Sequence, residues 1–443
     1  MKRSRSPIRY VRELNETDLI HDLLGLPETP DDRSDEQVAK LAKHVAGKLP
    51  VSEYTCTHVI TDVALEMPTK HFVLTFLLKA ISREGDYGRD LCKCVLTETA
   101  KRVGDSLKSG RPIRAKQGIR FLLCCSAHSV LSCQAAAAIV TKLLDTALGA
   151  LERSKTKGKH SLWKYAYYAE YLVYCVLVCL PAAASALQRT HKDLLASILA
   201  KVEAFMANRS GKTKTSSLSL RKDAYSTLGV DAACSTAGIV GRVNWIWSAY
   251  QEDGATSADF DWTQVEAIAH YPVQAEEAEA EVKAEGEGEA MATEEGANGG
   301  SGGDAEPKPA PGASITEEEV AMKHHEVIEK SDRFLSSAIS HCDFLPKQHT
   351  RIGKFALNQV VVEEYALDLL TLLSMSPDKL VDYLAHLPVG DGLAYESVLS
   401  EAVFAHMLHL PTQDFAPIFY SGVISDLCMK MKSFPKYMSA CVR

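Results

Sequence analysis

The sequence lacks the residue patterns on which catalytic sites are built. It has no His-Glu-x-x-His pattern for zinc, no glycine-rich loop between a strand and a helix, and no carboxylate pair beside a histidine on a predicted loop. Gly211-Lys212-Thr213 is not a phosphate-binding loop, because Met206 stands where the first glycine of that motif is required. We therefore predict no enzyme activity, no catalytic or metal-binding residues and no cofactor.

The N-terminus lacks the apolar stretch of a secretory signal, since the opening MKRSRSPIRY is basic and then mixed. The twelve cysteines are therefore expected to be reduced thiols in the core of an intracellular protein. Cys92-x-Cys94 and Cys124-Cys125 have no second ligand pair at zinc-site spacing. These cysteines are predicted to be structural rather than metal-binding.

A strong basic charge is absent from the body of the chain. The formal net charge of -8 is concentrated in residues 274–320, where 14 acidic and two basic side chains give -12 and leave +4 elsewhere. The pI therefore reflects this segment and not a nucleic-acid-binding body. Residues 274–314 are rich in Glu, Ala, Gly and Pro and cannot bury enough apolar surface to fold, so we predict a disordered acidic linker there.

Strand-type alternation is rare, and helical periodicity dominates the chain instead. Candidate helices before the linker are residues 35–48, 58–66, 70–83, 89–107, 113–129, 133–151, 162–180, 192–207, 233–251 and 262–269. Those after it are residues 315–342, 352–373 and 377–384, followed by a last hairpin. The sequence predicts an all-α fold, a superhelical stack of antiparallel helical hairpins like the HEAT solenoids.

The hairpin pattern is clearest in residues 394–442. Apolar side chains between Tyr395 and Leu410 recur at three- and four-residue steps, and Pro411 then ends the helix. A second apolar stripe begins at Phe415, which predicts two antiparallel helices. The residues from Phe434 onward do not resemble the polar outer face of a capping repeat, so the chain is expected to be unfinished.

These segments predict four parts. Residues 1–14 are a basic tail, predicted to be disordered, with a nuclear import signal as the alternative. Residues 15–273 form a first helical-repeat domain, and residues 274–314 are the acidic linker. Residues 315–443 form a second helical-repeat domain that is incomplete.

Several surface features carry competing interpretations. The loops at residues 153–160 and 209–222 are basic, which suits phosphate contact or phosphorylation, but solvated loops are favoured. The run of aromatic residues from Trp163 to Tyr174 would offer stacking faces to RNA, although aromatics at helical spacing are more often core. Only one of Trp245 and Trp247 can face the core, and the other would mark a partner contact.

Three further features are predicted to be structural. The apolar segment 171–187 contains Pro181 and is expected to be a buried helix rather than a membrane span. His324 and His325 are neighbours on a predicted helix and do not face each other, so they would not share a metal. His406 and His409 are expected at a contact between helices.

Five stretches, in order along the chain, carry a likeness to a known family. They are LTFLLKA at 74–80 before Asp86-Tyr87-Gly88, IRFL at 119–122, YCVLVCLP at 174–181, the run from Trp262 to Tyr271-Pro272, and residues 398–428 with HLP and DLC. The chain resembles the large-subunit family of the nuclear cap-binding complex, which is built from helical-hairpin domains of the MIF4G type. The likeness runs from residue 65 to the end, outside the linker. The family has three such domains, of which this chain would hold one and part of a second.

The resemblance implies a nuclear scaffold without catalysis, with shuttling to the cytoplasm left open. Its partners would be a small RRM-containing subunit, capped RNA held through that subunit, and factors of mRNA processing, export and nonsense-mediated decay. In the family the small subunit holds the cap, so no partner-binding residues are assigned here. Two other hypotheses stay open: a generic helical-repeat adaptor in translation or mRNA decay, and a direct RNA binder whose affinity falls steeply with salt.

Overall fold

The computed structural model describes most of the helical body. The described residues are 14–27, 32–109, 111–156, 159–209, 230–265, 355–373, 376–387, 389, 395–409 and 416–442. Within them the chain forms sixteen α-helices and no β-strand. The predicted all-α fold is therefore confirmed. The basic tail, the acidic linker, the helix at 315–342 and His324-His325 fall outside the described residues.

Up to α10 the helices follow one another through short connections. They are α1 (Glu16–Leu24), α2 (Asp32–Ala46), α3 (Glu53–Glu66), α4 (His71–Arg83), α5 (Asp86–Lys108), α6 (Pro112–Ala127), α7 (Cys133–Thr156), α8 (Lys159–Cys179), α9 (Pro181–Thr190), α10 (Lys192–Asn208), α11 (Val230–Glu252), α12 (Ala356–Leu372), α13 (Pro377–Ala385), α14 (Tyr395–His409), α15 (Ala416–Lys430) and α16 (Phe434–Val442). Two 3₁₀ turns lie at Pro68–Lys70 and Trp262–Gln264.

Packing between alternate helices produces the stack. In the first part of the chain α1 contacts α3, α2 contacts α4, and α3 contacts α5. In the last part α12 contacts α14, α13 contacts α15, and α14 contacts α16. Each helix thus covers its apolar surface with the next hairpin, which is how a helical-repeat solenoid builds a continuous core.

Local sequence sets where the helices begin. Pro112, Pro181 and Pro377 each stand in the first turn of a helix, where the missing amide hydrogen costs no bond. The Asn15 side chain accepts a hydrogen bond from the Thr17 amide and caps α1. Gly85, with φ of 130°, precedes α5 in a conformation that side chains of L-residues disfavour.

Three helices were not anticipated from the sequence. Helix α1 has no counterpart among the candidate helices, and the candidate helix at 162–180 is followed by a further helix, α9, which begins at Pro181. The prediction of only two helices in residues 394–442 is wrong, because a third helix begins at Phe434. Pro435 falls in the first turn of α16, where proline is tolerated, and Phe434 is fully buried. Of the candidate helix at 262–269, the structure describes only the turn Trp262–Gln264.

The apolar segment at 171–187 is largely buried, as predicted, but it forms parts of two helices and not the single helix expected. Its two halves belong to α8 and α9, which bend by 68° at Leu180. Among the described helices, only the stretch Cys133–Ser154 of α7 is by itself long and apolar enough to cross a membrane. Half of that stretch is buried, and α7 packs against α8 and α10.

Helix α12 belongs to both hydrophobic cores. Leu357 and Val360, in its first turns, join the core of the first part of the chain. Val362 and Leu369 join a second core built with α13 to α16. Helix α12 therefore packs against both hydrophobic cores. The boundary expected near residue 315 lies outside the described residues and stays a prediction.

Candidate functional site

The most unusual chemistry of the structure lies on α12. Its sequence, ALNQVVVEEYALDLLTL, is apolar all round except for a few polar residues, and Glu363, Glu364 and Asp368 are each at most 1% exposed. Carboxylates are almost never buried this deeply unless they are paired. Their partners must therefore come from the neighbouring helices.

Those partners are basic residues of α6 and α11. Lys116 and Arg120 stand four residues apart on α6, so they lie on the same face of that helix, and they are 0% and 2% exposed. Arg242 on α11 is 1% exposed. Three cations thus meet three carboxylates inside the protein. We call these six residues the charged seam.

Asp368 and Glu364 hold the two basic residues of α6. Lys116 Nζ lies 2.5 Å from Asp368 Oδ1 and 3.0 Å from Glu364 Oε2. Arg120 Nη1 donates to Asp368 Oδ2 at 2.8 Å, and its guanidinium lies 4.3 Å from the ring centre of Tyr365. The spacing of four residues on α6 therefore matches the spacing of four residues between Glu364 and Asp368 on α12.

Arg242 completes the seam from the other side. Its Nε and Nη2 atoms donate to Glu364 Oε1 at 2.9 and 2.6 Å, and Nη1 lies 3.3 Å from Glu363 Oε2. The Tyr174 hydroxyl of α8 donates to Glu364 and lies 3.1 Å from Lys116 Nζ. Glu364 therefore accepts bonds from three other helices at once.

The neighbouring charges favour the ionised forms of Glu364, Lys116 and Arg120 despite their burial. Burial alone would raise the pKa of Glu364, but Lys116 and Arg242 outweigh it and lower this pKa to about 2. Burial alone would lower the pKa of Lys116, but Asp368 and Glu364 raise it above its ordinary value. Burial alone would also lower the pKa of Arg120, but nearby groups, Asp368 first among them, raise it above its ordinary value.

The N-terminus of α12 is held by a residue from the end of α11. The Asp253 carboxylate accepts hydrogen bonds from the amides of Ala356 and Leu357, at 2.9 and 2.7 Å. A carboxylate at this position satisfies unpaired amides and complements the helix dipole. Beside it, the rings of Phe355 and Phe260 meet edge to face with centres 5.6 Å apart.

A second buried pair lies within the first part of the chain. Arg209, at the end of α10, donates to Glu170 of α8 and to Asn244 of α11. Both charged side chains are at most 2% exposed. The pair fixes the end of α10 against the two helices that support the charged seam.

The four tyrosines of α8 whose side chains are described do not offer stacking faces to RNA. Tyr165, Tyr168, Tyr171 and Tyr174 are all buried in the core, as the favoured interpretation predicted. The side chain of Trp163 and most of the two basic loops fall outside the described residues. The described tyrosines of α8 are therefore core residues.

The two tryptophans of α11 differ in burial, as expected. Trp247 belongs to the core. Trp245 is only partly buried and lies under the Arg242 guanidinium, 4.3 Å from the ring centre to Cζ. Trp245 thus contacts the charged seam and is not an isolated surface residue.

The other predicted positions are accounted for by local contacts. His406 lies between helices, with its ring nitrogens bonded to the hydroxyls of Tyr420 on α15 and Thr371 on α12, which confirms that prediction. The His409 side chain lies outside the described residues. Cys92 donates to the Leu78 carbonyl oxygen at 3.2 Å.

The repeat pattern by itself does not reveal the charged seam. The sequence signal for it is two pairs of like-charged residues, each pair spaced by four residues on one helix. Lys116 and Arg120 provide the basic pair, and Glu364 and Asp368 provide the acidic pair. Arg120 also lies within the stretch IRFL at 119–122.

The fold defines a class of protein. Stacked hairpins joined by buried ion pairs hold helices in fixed orientations, and the six seam residues are each at most 2% exposed. In the described part of the chain, no group of three His, Cys, Asp or Glu side chains is placed to hold a metal ion. The arrangement is that of a helical-repeat protein.

The chain is similar to one particular protein of this kind over a short stretch. It is 36% identical over 88 residues to nuclear cap-binding protein subunit 1 of Arabidopsis thaliana, which is 20% of this chain and 10% of that protein. It is also 36% identical over 87 residues to the protein of that name from Oryza sativa subsp. japonica, 19% of this chain and 10% of the relative. No protein-family model matches the chain. The similarity thus spans about a tenth of the length of these curated relatives.

Proposed function

We propose that this chain is a scaffold subunit of a nuclear cap-binding complex. In this role it supports a small RRM-containing subunit on 7-methylguanosine-capped RNA, and its helical surface recruits mRNA processing, export and decay factors. The chain acts in the nucleus and carries out no catalysis.

The observation that carries this proposal is the 36% identity to nuclear cap-binding protein subunit 1 in two plants. The all-α stack of hairpins supports it, because such solenoids present extended surfaces to protein partners. The buried charged seam supports a scaffold role as well, since its cations and carboxylates are engaged with one another.

A cap-affinity experiment tests the proposal. The purified chain is applied to a 7-methylguanosine resin with and without the small RRM-containing subunit of the same organism, and is eluted with free cap analogue. We expect retention only when the small subunit is present. Elution with unmethylated guanosine analogue is the control and should release nothing.

Each outcome decides between the hypotheses. No retention in the presence of the small subunit contradicts the cap-complex proposal and favours a generic helical-repeat adaptor. Retention without the small subunit indicates direct binding to the cap. Binding to uncapped RNA that falls steeply between 50 and 200 mM salt, by roughly a factor of 10³ or more, would instead identify a direct RNA binder.

A further inference from the structure

We propose that residues 355–442, here called the C-terminal module, are held on the first part of the chain by recognition of α12 and not by the chain that connects them. The recognising surface is formed by α6, α8 and α11. Its ligand is an apolar helix that carries the pattern Glu-Glu-x-x-x-Asp, which in this protein is α12 itself. This inference does not depend on the proposed function.

Three separate contacts bind α12 along its length. At its N-terminus, the Asp253 carboxylate caps the amides of Ala356 and Leu357. In the middle, Arg242 binds Glu364 through two nitrogen atoms. Together with the third contact, these two fix the position of α12, its rotation about its own axis and the direction in which it runs.

The third contact lies one turn further along α12. Lys116 and Arg120 both bind Asp368, at 2.5 and 2.8 Å. Counted over the whole seam, three cations face three carboxylates, so neither side keeps an excess charge when α12 is in place. If α12 left, each surface would retain three charges in an apolar setting, and a buried charge without its partner is strongly unfavourable.

The two parts meet although they are far apart in sequence. Val265 and Phe355 are separated by residues 266–354, which are 89 residues in sequence. Yet the Phe260 and Phe355 rings meet with centres 5.6 Å apart. A covalent connection raises the effective concentration of the two parts, and the contacts of α12 described above set the position in which they meet.

The test uses the full-length chain with a specific protease site inserted in residues 274–314. The chain is purified intact and then cut to completion, as verified on a denaturing gel. Size-exclusion chromatography with light scattering then measures the mass in 0.15 and 1 M NaCl. We expect the two fragments to elute together with the mass of one intact chain at both salt concentrations, because buried ion pairs are little screened.

Two matched variants connect the result to the seam. Asp368→Asn removes the carboxylate shared by Lys116 and Arg120, and should raise the dissociation constant of the cut fragments by about a hundredfold or more. Asp382→Asn removes the same charge from the same module, but Asp382 forms an exposed pair with Lys430. It should leave the dissociation constant unchanged within about threefold.

Other outcomes overturn the proposal. Fragments of the cut parent chain that separate at 0.15 M NaCl show that the connection holds the module. Fragments that stay together equally in the parent and in Asp368→Asn show that the seam is not the recognised feature. A mass of two chains, before and after cutting, would show that α12 is exchanged with a second copy and would refute docking within one molecule.

Discussion

Replacing Glu364 with Gln removes the carboxylate at the centre of the seam while keeping the shape of the side chain. Glu364 is bound by Lys116 at 3.0 Å, by Arg242 at 2.6 and 2.9 Å, and by the Tyr174 hydroxyl. The substitution leaves a buried excess of positive charge. Breaking a buried pair in this way costs roughly 3–5 kcal/mol.

The lowered pKa of Glu364 gives a second way to work out the free-energy cost of this substitution. A pKa lowered from 4.5 to about 2 means that folding favours the ionised carboxylate by about 3 kcal/mol. We therefore expect Glu364→Gln to lower the free energy of unfolding at pH 7 by about 3 kcal/mol.

The effect should also depend on pH in a defined direction. Because the pKa of Glu364 is lower in the folded protein, its contribution is complete above about pH 4.5 and is lost as the pH falls towards about 2. A protonated Glu364 and a glutamine are both neutral. The stabilities of the parent and of Glu364→Gln should therefore converge as the pH falls from 4.5 to 2.

Urea unfolding followed by tryptophan fluorescence measures this difference at several pH values. Trp245 and Trp247 lie on α11 beside the seam, so they report on the relevant region. Glu66→Gln is a matched control, because Glu66 forms a half-exposed pair with Arg114. Its cost should be at most about 1 kcal/mol.

The reasoning fails if Glu364→Gln costs no more than Glu66→Gln, or if the parent and variant curves stay parallel down to pH 2.5. A double-mutant cycle sharpens the test. Lys116→Met combined with Glu364→Gln restores a balance of two cations and two carboxylates, so the double variant should lose clearly less stability than the sum of the two single variants. Additive losses would show that the two charges do not interact.

Three further predictions concern packing, capping and thiol reactivity. Gly118→Ala should lower the free energy of unfolding by about 1–3 kcal/mol, because a Cβ there would lie 2.4 Å from Val103 Cγ2. Gly149→Ala has open space around it and should raise the free energy of unfolding by about 0.5–1 kcal/mol. Melting temperatures compare the two variants. Asp253→Ala should cost about 1 kcal/mol in urea unfolding through loss of the α12 cap, and an unchanged midpoint would contradict that role. Cys124 is fully buried and its pKa is raised to about 12 by burial, so iodoacetamide at pH 8 should label it only after unfolding, as measured by mass spectrometry; rapid labelling of the folded protein would contradict this.

Most helices of the first part of the chain were predictable from the sequence. Periodicity of apolar residues placed α5 and α10 within a few residues of their observed bounds, since their buried stripes repeat at helical spacing. Two of the helices absent from the candidates, α9 and α16, have a proline in their first turn, Pro181 and Pro435, where the missing amide hydrogen costs no bond.

The pairing within the seam was not predictable in the same way. Lys116 and Glu364 are 248 residues apart, and nothing local to either residue identifies the other. What the sequence does contain is the anomaly itself, charged residues at positions where an apolar stripe should continue. That anomaly predicts burial with partners, but only the fold shows which partners they are.

The seam gives α12 one register where an apolar helix would have several. Shifting α12 by one turn in one direction would place Glu364 at the position of Asp368 and Val360 opposite Arg242, so Arg242 would lose both bonds to Glu364. Shifting it in the other direction would place Asp368 at the position of Glu364 and Leu372 opposite Arg120. Either shift leaves a buried cation without its carboxylate, at roughly 3–5 kcal/mol for each broken pair. Leucines and valines alone would tolerate such a shift, because apolar contacts are not directional. The six buried charges are thus better explained by the single position they impose on the C-terminal module than by stability, since well-packed apolar residues could supply as much.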